Sequence, residues 1–210
     1  MKPGGVVSLK KINSINFLHK NKLLLFMCLS LVVGIVIGSF ALSGNKSISG
    51  YANNLFDYFI NSRQGLGFFN QFFSSLLFYF LICLTFFTIG TSIVGAVMSP
   101  IICCLSGIYL GGLASYSYSQ FGLKGVAFNA IVLLPSALAF SISLFFSAKE
   151  AFNFSLIIIK LTLPKSRPCN ISVEFKTYCG RFVLALIFCV IAALIDAAVS
   201  TSFLKYFSFN

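Results

Sequence analysis

The chain has 210 residues, 58% hydrophobic and only 9% charged, with a mean hydropathy of +0.96 and a formal net charge of +11. Soluble domains carry about 25% charged residues, so this composition excludes a water-soluble globular protein and requires a polytopic membrane domain. The positive charge is concentrated in an arm and in loops, where it suits anionic lipid heads; a nucleic-acid partner is not expected.

Residues 1–22 form a basic arm with Lys2, Lys10, Lys11, Lys20 and Lys22 and no acidic residue. An apolar run follows over 23–42. Ser39-Phe40-Ala41 has the small-x-small pattern of a cleavage site, but the run exceeds the ~7–15 residues of a signal-peptide core. It is therefore expected to stay as the first transmembrane helix. Gly34 and Gly38 form a small-xxx-small pair on it, a pattern that lets another helix approach closely.

Residues 43–71 make the first loop. Tyr51, Leu55, Phe56 and Phe59 recur there at helical spacing against Asn53, Asn54, Asp57 and Arg63, the pattern of a short amphipathic helix. That apolar face is a candidate partner face. Lying on the protein's own bundle is the competing reading.

A second helix is expected over 72–97 and a third over 101–119, with Ser99-Pro100 as the turn between them, because proline ends one helix and can begin the next. Gly90, Gly95, Gly107 and Gly111 predict close packing on this pair. A fourth helix over 125–147 contains Pro135, which removes a hydrogen bond and predicts a kink. The loop 148–180 is basic. Its apolar stretch 151–163 is too short to span and reads as an interfacial helix ended by Pro164 and Pro168. A fifth helix is expected over 181–203, followed by a short tail, 204–210.

The sequence thus predicts an all-α, polytopic integral membrane helical bundle: a single domain over 23–203 with five transmembrane helices and short amphipathic interfacial helices. Positive residues crowd the arm and the 148–180 loop, while the alternate side holds only Lys46, Arg63, Lys124 and Lys205. Positive-inside counting puts the N-terminus in the cytoplasm and the C-terminus outside a cell membrane.

Catalytic constellations are missing from the pattern. The one histidine, His19, lies in the arm, and the four acidic residues Asp57, Glu150, Glu174 and Asp196 form no close pair in sequence. The seven cysteines make no C-x-x-C pair, so neither a disulfide framework nor a metal spacing emerges. No cofactor, metal or enzymatic activity is expected. Asp196 stands apart as a carboxylate inside an apolar helix, which costs about 2.5–3.5 kcal/mol near the bilayer centre. It is the candidate intramembrane polar site. As a structural hydrogen-bond acceptor it should tolerate an amide; as a proton or ion carrier it should not.

Five helices in this length, with Gly90-x-x-x-x-Gly95-x-x-x-x-Pro100, Gly107-x-x-x-Gly111, Leu133-Leu134-Pro135-Ser136-Ala137 and Asp196 in the last helix, resemble stage II sporulation protein M and its wider membrane family. The similarity runs over roughly residues 23–203. The wider family often follows the helix-four proline with a histidine and a glutamate; Ser136 and Phe140 stand there instead, so no role of that pair transfers. The resemblance implies a non-catalytic scaffold in endospore-forming bacteria. Such a scaffold would hold the peptidoglycan-degrading stage II sporulation proteins D and P at the septal membrane for engulfment. A permease component using Asp196 is the alternative, motivated by Pro135 and the glycine-rich pair, although no internal repeat of the transporter kind is visible.

Overall fold

In lipid, each backbone N–H and C=O must find its partner within the protein, and helices meet that demand segment by segment. A computed structural model describes residues 22–43 (the backbone alone at 42 and 43), 54, 56, 58–60, 63, 67–162 and 171–203. The rest of the basic arm, Tyr51, Leu55, Pro164, Pro168 and the tail lie outside the described residues. The helices are α1 (Lys22–Ser43), α2 (Phe68–Gly90), α3 (Gly95–Phe121), α4 (Leu123–Phe128), a π-helical turn (Asn129–Leu133), α5 (Leu134–Thr162) and α6 (Ile171–Phe203). No strand occurs among the described residues. Taking α4, the π turn and α5 as one, five helices are long and apolar enough to cross a bilayer, with mean hydropathies from 1.8 to 2.8. The protein is an all-α, multi-pass membrane bundle.

Apolar side chains such as Leu77, Leu105 and Leu138 face outward, while Ser99, Ser117, Ser143, Ser147 and Ser155 are buried. Small residues inside and bulky ones toward lipid are what packing in a bilayer favours, since burying leucine there gains little over leaving it in the acyl chains. The α1–α3 contact illustrates this. A Cβ on Gly34 or Gly38 would collide with the backbone carbonyls of Cys104 or Ile108, and one on Gly107 or Gly111 with those of Leu31 or Ile35. The two glycine pairs therefore interlock, and because partner numbers rise together the helices run parallel. Ser30 donates to the Pro100 carbonyl at 2.5 Å, Ser39 to that of Gly111 at 3.3 Å, and Ser115 to that of Ser39 at 3.1 Å.

Three boundaries differ from expectation. The α2–α3 turn falls at residues 91–94, and Pro100 sits inside α3. Ser155 on α5 decides the turn. Its hydroxyl donates toward the carbonyls of Ser92 and Ile93 at 2.8 and 3.1 Å and accepts the Ala96 N–H at 2.9 Å. Second, residues 151–162 continue α5 instead of lying at the interface, because Ala151, Phe154 and Ser155 are buried against neighbouring helices. Gly90 is where α2 meets Ala151, too close for a side chain. Third, α6 begins at Ile171, ten positions before the expected start, because its first turns pack on the extended α5: Tyr178 stacks on Phe154 at 4.5 Å and donates to the Phe87 carbonyl at 3.0 Å.

A π-helical turn ends at Leu133, two positions before Pro135, where the sequence predicts a kink. Asn129, the first residue of that turn, donates to the Ala114 carbonyl at 2.9 Å and accepts from Ser117 at 2.7 Å. Gly125 lets α4 press against the Ser117 carbonyl, and Gly122, at φ +54°, makes the reversal out of α3.

Candidate functional site: a buried ion pair beside a cavity

Asp196 lies seven positions before the end of α6, about 10 Å along the axis at 1.5 Å per residue, and is fully buried. Ser75 lies equally far inside the facing end of α2 and donates its hydroxyl proton to Asp196 Oδ2 at 2.5 Å. Gln71, one turn nearer that end, donates through Nε2 to Ser75 Oγ at 3.2 Å. The charge is balanced by Arg63, whose Nη2 donates to the same Oδ2 at 2.8 Å. Its guanidinium lies 3.6 Å from the centre of the Phe59 ring, so a cation–π contact closes the other side of the cation. The side chains are 10% and 1% exposed for Arg63 and Asp196.

Desolvating both ions costs several kcal/mol each, which their attraction and the added hydrogen bonds offset; removing only one partner typically costs about 3–5 kcal/mol. The expectation that Asp196 tolerates an amide is corrected on that ground. An asparagine would keep an acceptor for Ser75 but leave the buried guanidinium without a counter-charge. Four buried polar atoms, Arg63 Nη1, Gln71 Oε1, Asp196 Oδ1 and Ser200 Oγ, have no partner among the described residues.

Phe56 and Phe59 are buried, at 2% and 8% exposure. Phe56 packs against Tyr116, Phe121 and Phe128, with ring centres 5.2, 5.7 and 6.0 Å apart. This corrects the expected partner face at these two positions, which are turned onto the protein's own helices. Aromatic pairs at these separations add about 0.5–1.5 kcal/mol each beyond burial.

Beside the ion pair is a cavity of about 440 Å³ lined by Arg63, by Phe78 of α2, by Ser106 and Tyr109 of α3, and by Ser136 and Phe140 of α5. The π turn thus reaches the space through Leu133, whereas Pro135 does not line it. At the opposite end of the bundle, Arg181 reaches Glu150 at 3.4 Å, with the arginine largely exposed and the carboxylate buried. Among the described residues no group of three or more His, Cys, Asp or Glu side chains could hold a metal ion.

Sequence reasoning found Asp196 but not its partners. An intramembrane carboxylate demands a cation within reach, and Arg63 was one of only four basic residues assigned to that side. That shortage was the available signal. Nothing in sequence distinguished Ser75 or Gln71 from other polar residues on apolar helices.

Compared with protein-family models, with curated proteins and with solved structures, the chain matches none.

Proposed function

We propose that the chain is a non-catalytic scaffold of the cell membrane, with a cytoplasmic N-terminus and an extracytoplasmic C-terminus. Its Arg63 end holds peptidoglycan-degrading partners, in the manner that the resemblance to stage II sporulation protein M implies for septal engulfment. The observation that carries this reading is the Arg63–Asp196 pair. The intramembrane carboxylate is engaged by a cation and a hydroxyl, which ties Arg63 to α6 and α2. Glu150 is likewise engaged, by Arg181. The lysine and arginine asymmetry supports the orientation.

A permease component is the second reading, favoured by the cavity beside the pair. Affinity purification from mild detergent separates the two. Recovery of wall hydrolases, lost on deletion of the segment between α1 and α2, is the expected result. Recovery of an ATPase subunit without hydrolases would overturn the scaffold in favour of transport.

A further inference from the structure

We propose that the cavity holds the ring of a neutral, membrane-soluble quinone, with the hydroxyls of Tyr79 and Tyr109 donating to its carbonyl oxygens. This goes beyond the scaffold reading and does not depend on it. Tyr79 on α2 is only 6% exposed, Tyr109 on α3 is half-buried, and both line the cavity. Neither hydroxyl has a hydrogen-bond partner among the described residues. Unlike Arg63 Nη1, neither is sealed from open space, and the space beside them is the cavity. Serine hydroxyls around them are engaged already. Ser75 donates to Asp196, Ser106 to the Ile102 carbonyl, and Ser136 to those of Val132 and Leu133. Two phenols without partners in a native core call for an acceptor.

Depth restricts what that acceptor is. Tyr79 lies eleven positions from the start of α2 and Tyr109 twelve from the end of α3, about 16 and 18 Å from the same side at 1.5 Å per residue. Both are carried near the middle of the ~30 Å hydrocarbon core, where saturated chains hold no oxygen. The acceptor therefore comes with a molecule that dissolves in the bilayer and brings a carbonyl to that depth. Leu77, Leu81 and Leu105 line the space and are 64%, 49% and 58% exposed on membrane-crossing helices, so the cavity communicates with the acyl chains. The charge of Arg63 is balanced by Asp196, and a neutral ligand leaves that balance intact.

The walls favour a flat ring. Six of the eighteen lining residues are aromatic, a third of the lining against 16% of the whole chain. Tyr79 stacks on Phe140 with ring centres 4.4 Å apart, and Phe78 lies 6.0 Å from Tyr109. A planar ring gains ring–ring contacts here that a flexible saturated chain cannot make. An apolar, aromatic lining with a few placed donors is also the usual make-up of a small-molecule site. The volume of about 440 Å³ takes about fifteen non-hydrogen groups at ~30 Å³ each. That matches a substituted quinone ring with the first part of its tail, the remainder leaving past the leucines.

Photo-crosslinking tests the proposal. The full chain in phosphatidylcholine nanodiscs is irradiated with an azido-substituted, prenylated benzoquinone, and adducts are mapped by mass spectrometry with and without competitor. Expected are adducts on the α2 and α3 residues of the cavity, displaced by decylubiquinone but not by decylbenzene, which keeps a ring and tail without carbonyls. Tyr79→Phe and Tyr109→Phe should each raise the half-saturating probe concentration roughly fivefold, the effect of one neutral hydrogen bond. Ala137→Phe, which puts a ring into the space, should remove the adducts. Displacement by decylbenzene as effective as by decylubiquinone would overturn the carbonyl assignment and leave an acyl chain as the occupant. Unchanged half-saturation in both tyrosine variants would overturn the two donors, and undiminished adducts in Ala137→Phe would overturn the cavity as the site. Where a variant does not accumulate, the competition on the native chain decides.

Discussion

At the scale of single residues, Asp196 behaves as one half of a buried ion pair, and its substitutions should follow ion-pair rules. Asp196→Asn is expected to lower stability by about 3–5 kcal/mol, because it strands a guanidinium that is 90% buried by side-chain area. Arg63→Leu alone should cost a similar amount by stranding the carboxylate. The double variant Asp196→Asn with Arg63→Leu should recover a large part of the loss, since neither charge is then left unpaired. Thermal unfolding in detergent of the four proteins gives the coupling energy. Strictly additive losses would show that the two charges do not sense each other. Phe56→Ser belongs to the same scale. It removes a side chain enclosed by Tyr116, Phe121 and Phe128, and large-to-small changes of this kind cost about 3–5 kcal/mol. It should therefore reduce the amount of folded protein, measured by fluorescence-detected gel filtration. Normal abundance would return this face to the list of partner surfaces.

At the scale of helices, two contacts set the arrangement. The interlocked glycines of α1 and α3 bring backbone against backbone, so a larger residue meets carbonyls that cannot rotate aside. Gly107→Val should push α1 away from α3 and cost about 1–3 kcal/mol as overpacking. Disulfide trapping between cysteines placed at Ser30 and Pro100, in a cysteine-free background, reads the separation. Trapping as efficient as in the parent would show that the helices do not rely on this register. Ser155 governs the other contact, with three hydrogen-bonding neighbours at the α2–α3 turn. Ser155→Ala leaves the part-buried Ala96 N–H without that acceptor, a loss of about 1 kcal/mol. Faster amide exchange at residues 92–96 is the expected signature. Exchange unchanged from the parent would mean that the turn holds itself.

At the scale of the molecule, five spans oblige the termini to lie on opposite sides of the membrane. Reporter fusions after Ser43 and after Asn210 should both report the extracytoplasmic side, and a fusion within the basic 163–170 segment the cytoplasm. Cytoplasmic activity at Asn210 would contradict an odd number of spans. The order of the helices also explains where the ion pair can sit. Arg63, the start of α2 and the end of α6 come to one end of the bundle. Arg63, Ser75 and Asp196 therefore converge there, although Arg63 and Asp196 are 133 positions apart in the chain.

The sequence by itself determined the solvent and the fold class, because bilayer solvation penalises every charge and every unpaired backbone group along a span, residue by residue. It also determined which surfaces could approach closely. Gly34 with Gly38 and Gly107 with Gly111 announce a narrow helix face wherever they pack. Their pairing with each other was decided only in three dimensions, because a glycine face specifies a distance and not a partner. The same holds for the boundaries. Pro100 has a local signature for a turn, yet Ser155 on a distant helix sets the turn at 91–94, since its tertiary hydrogen bonds to the helix ends outweigh the one i→i−4 bond that Pro100, six residues into α3, forgoes. Asp196 was legible because a carboxylate among alanines and isoleucines is conspicuous. Arg63, Ser75 and the cavity were not, because each arises from side chains that become neighbours only when α2, α3 and α6 are assembled.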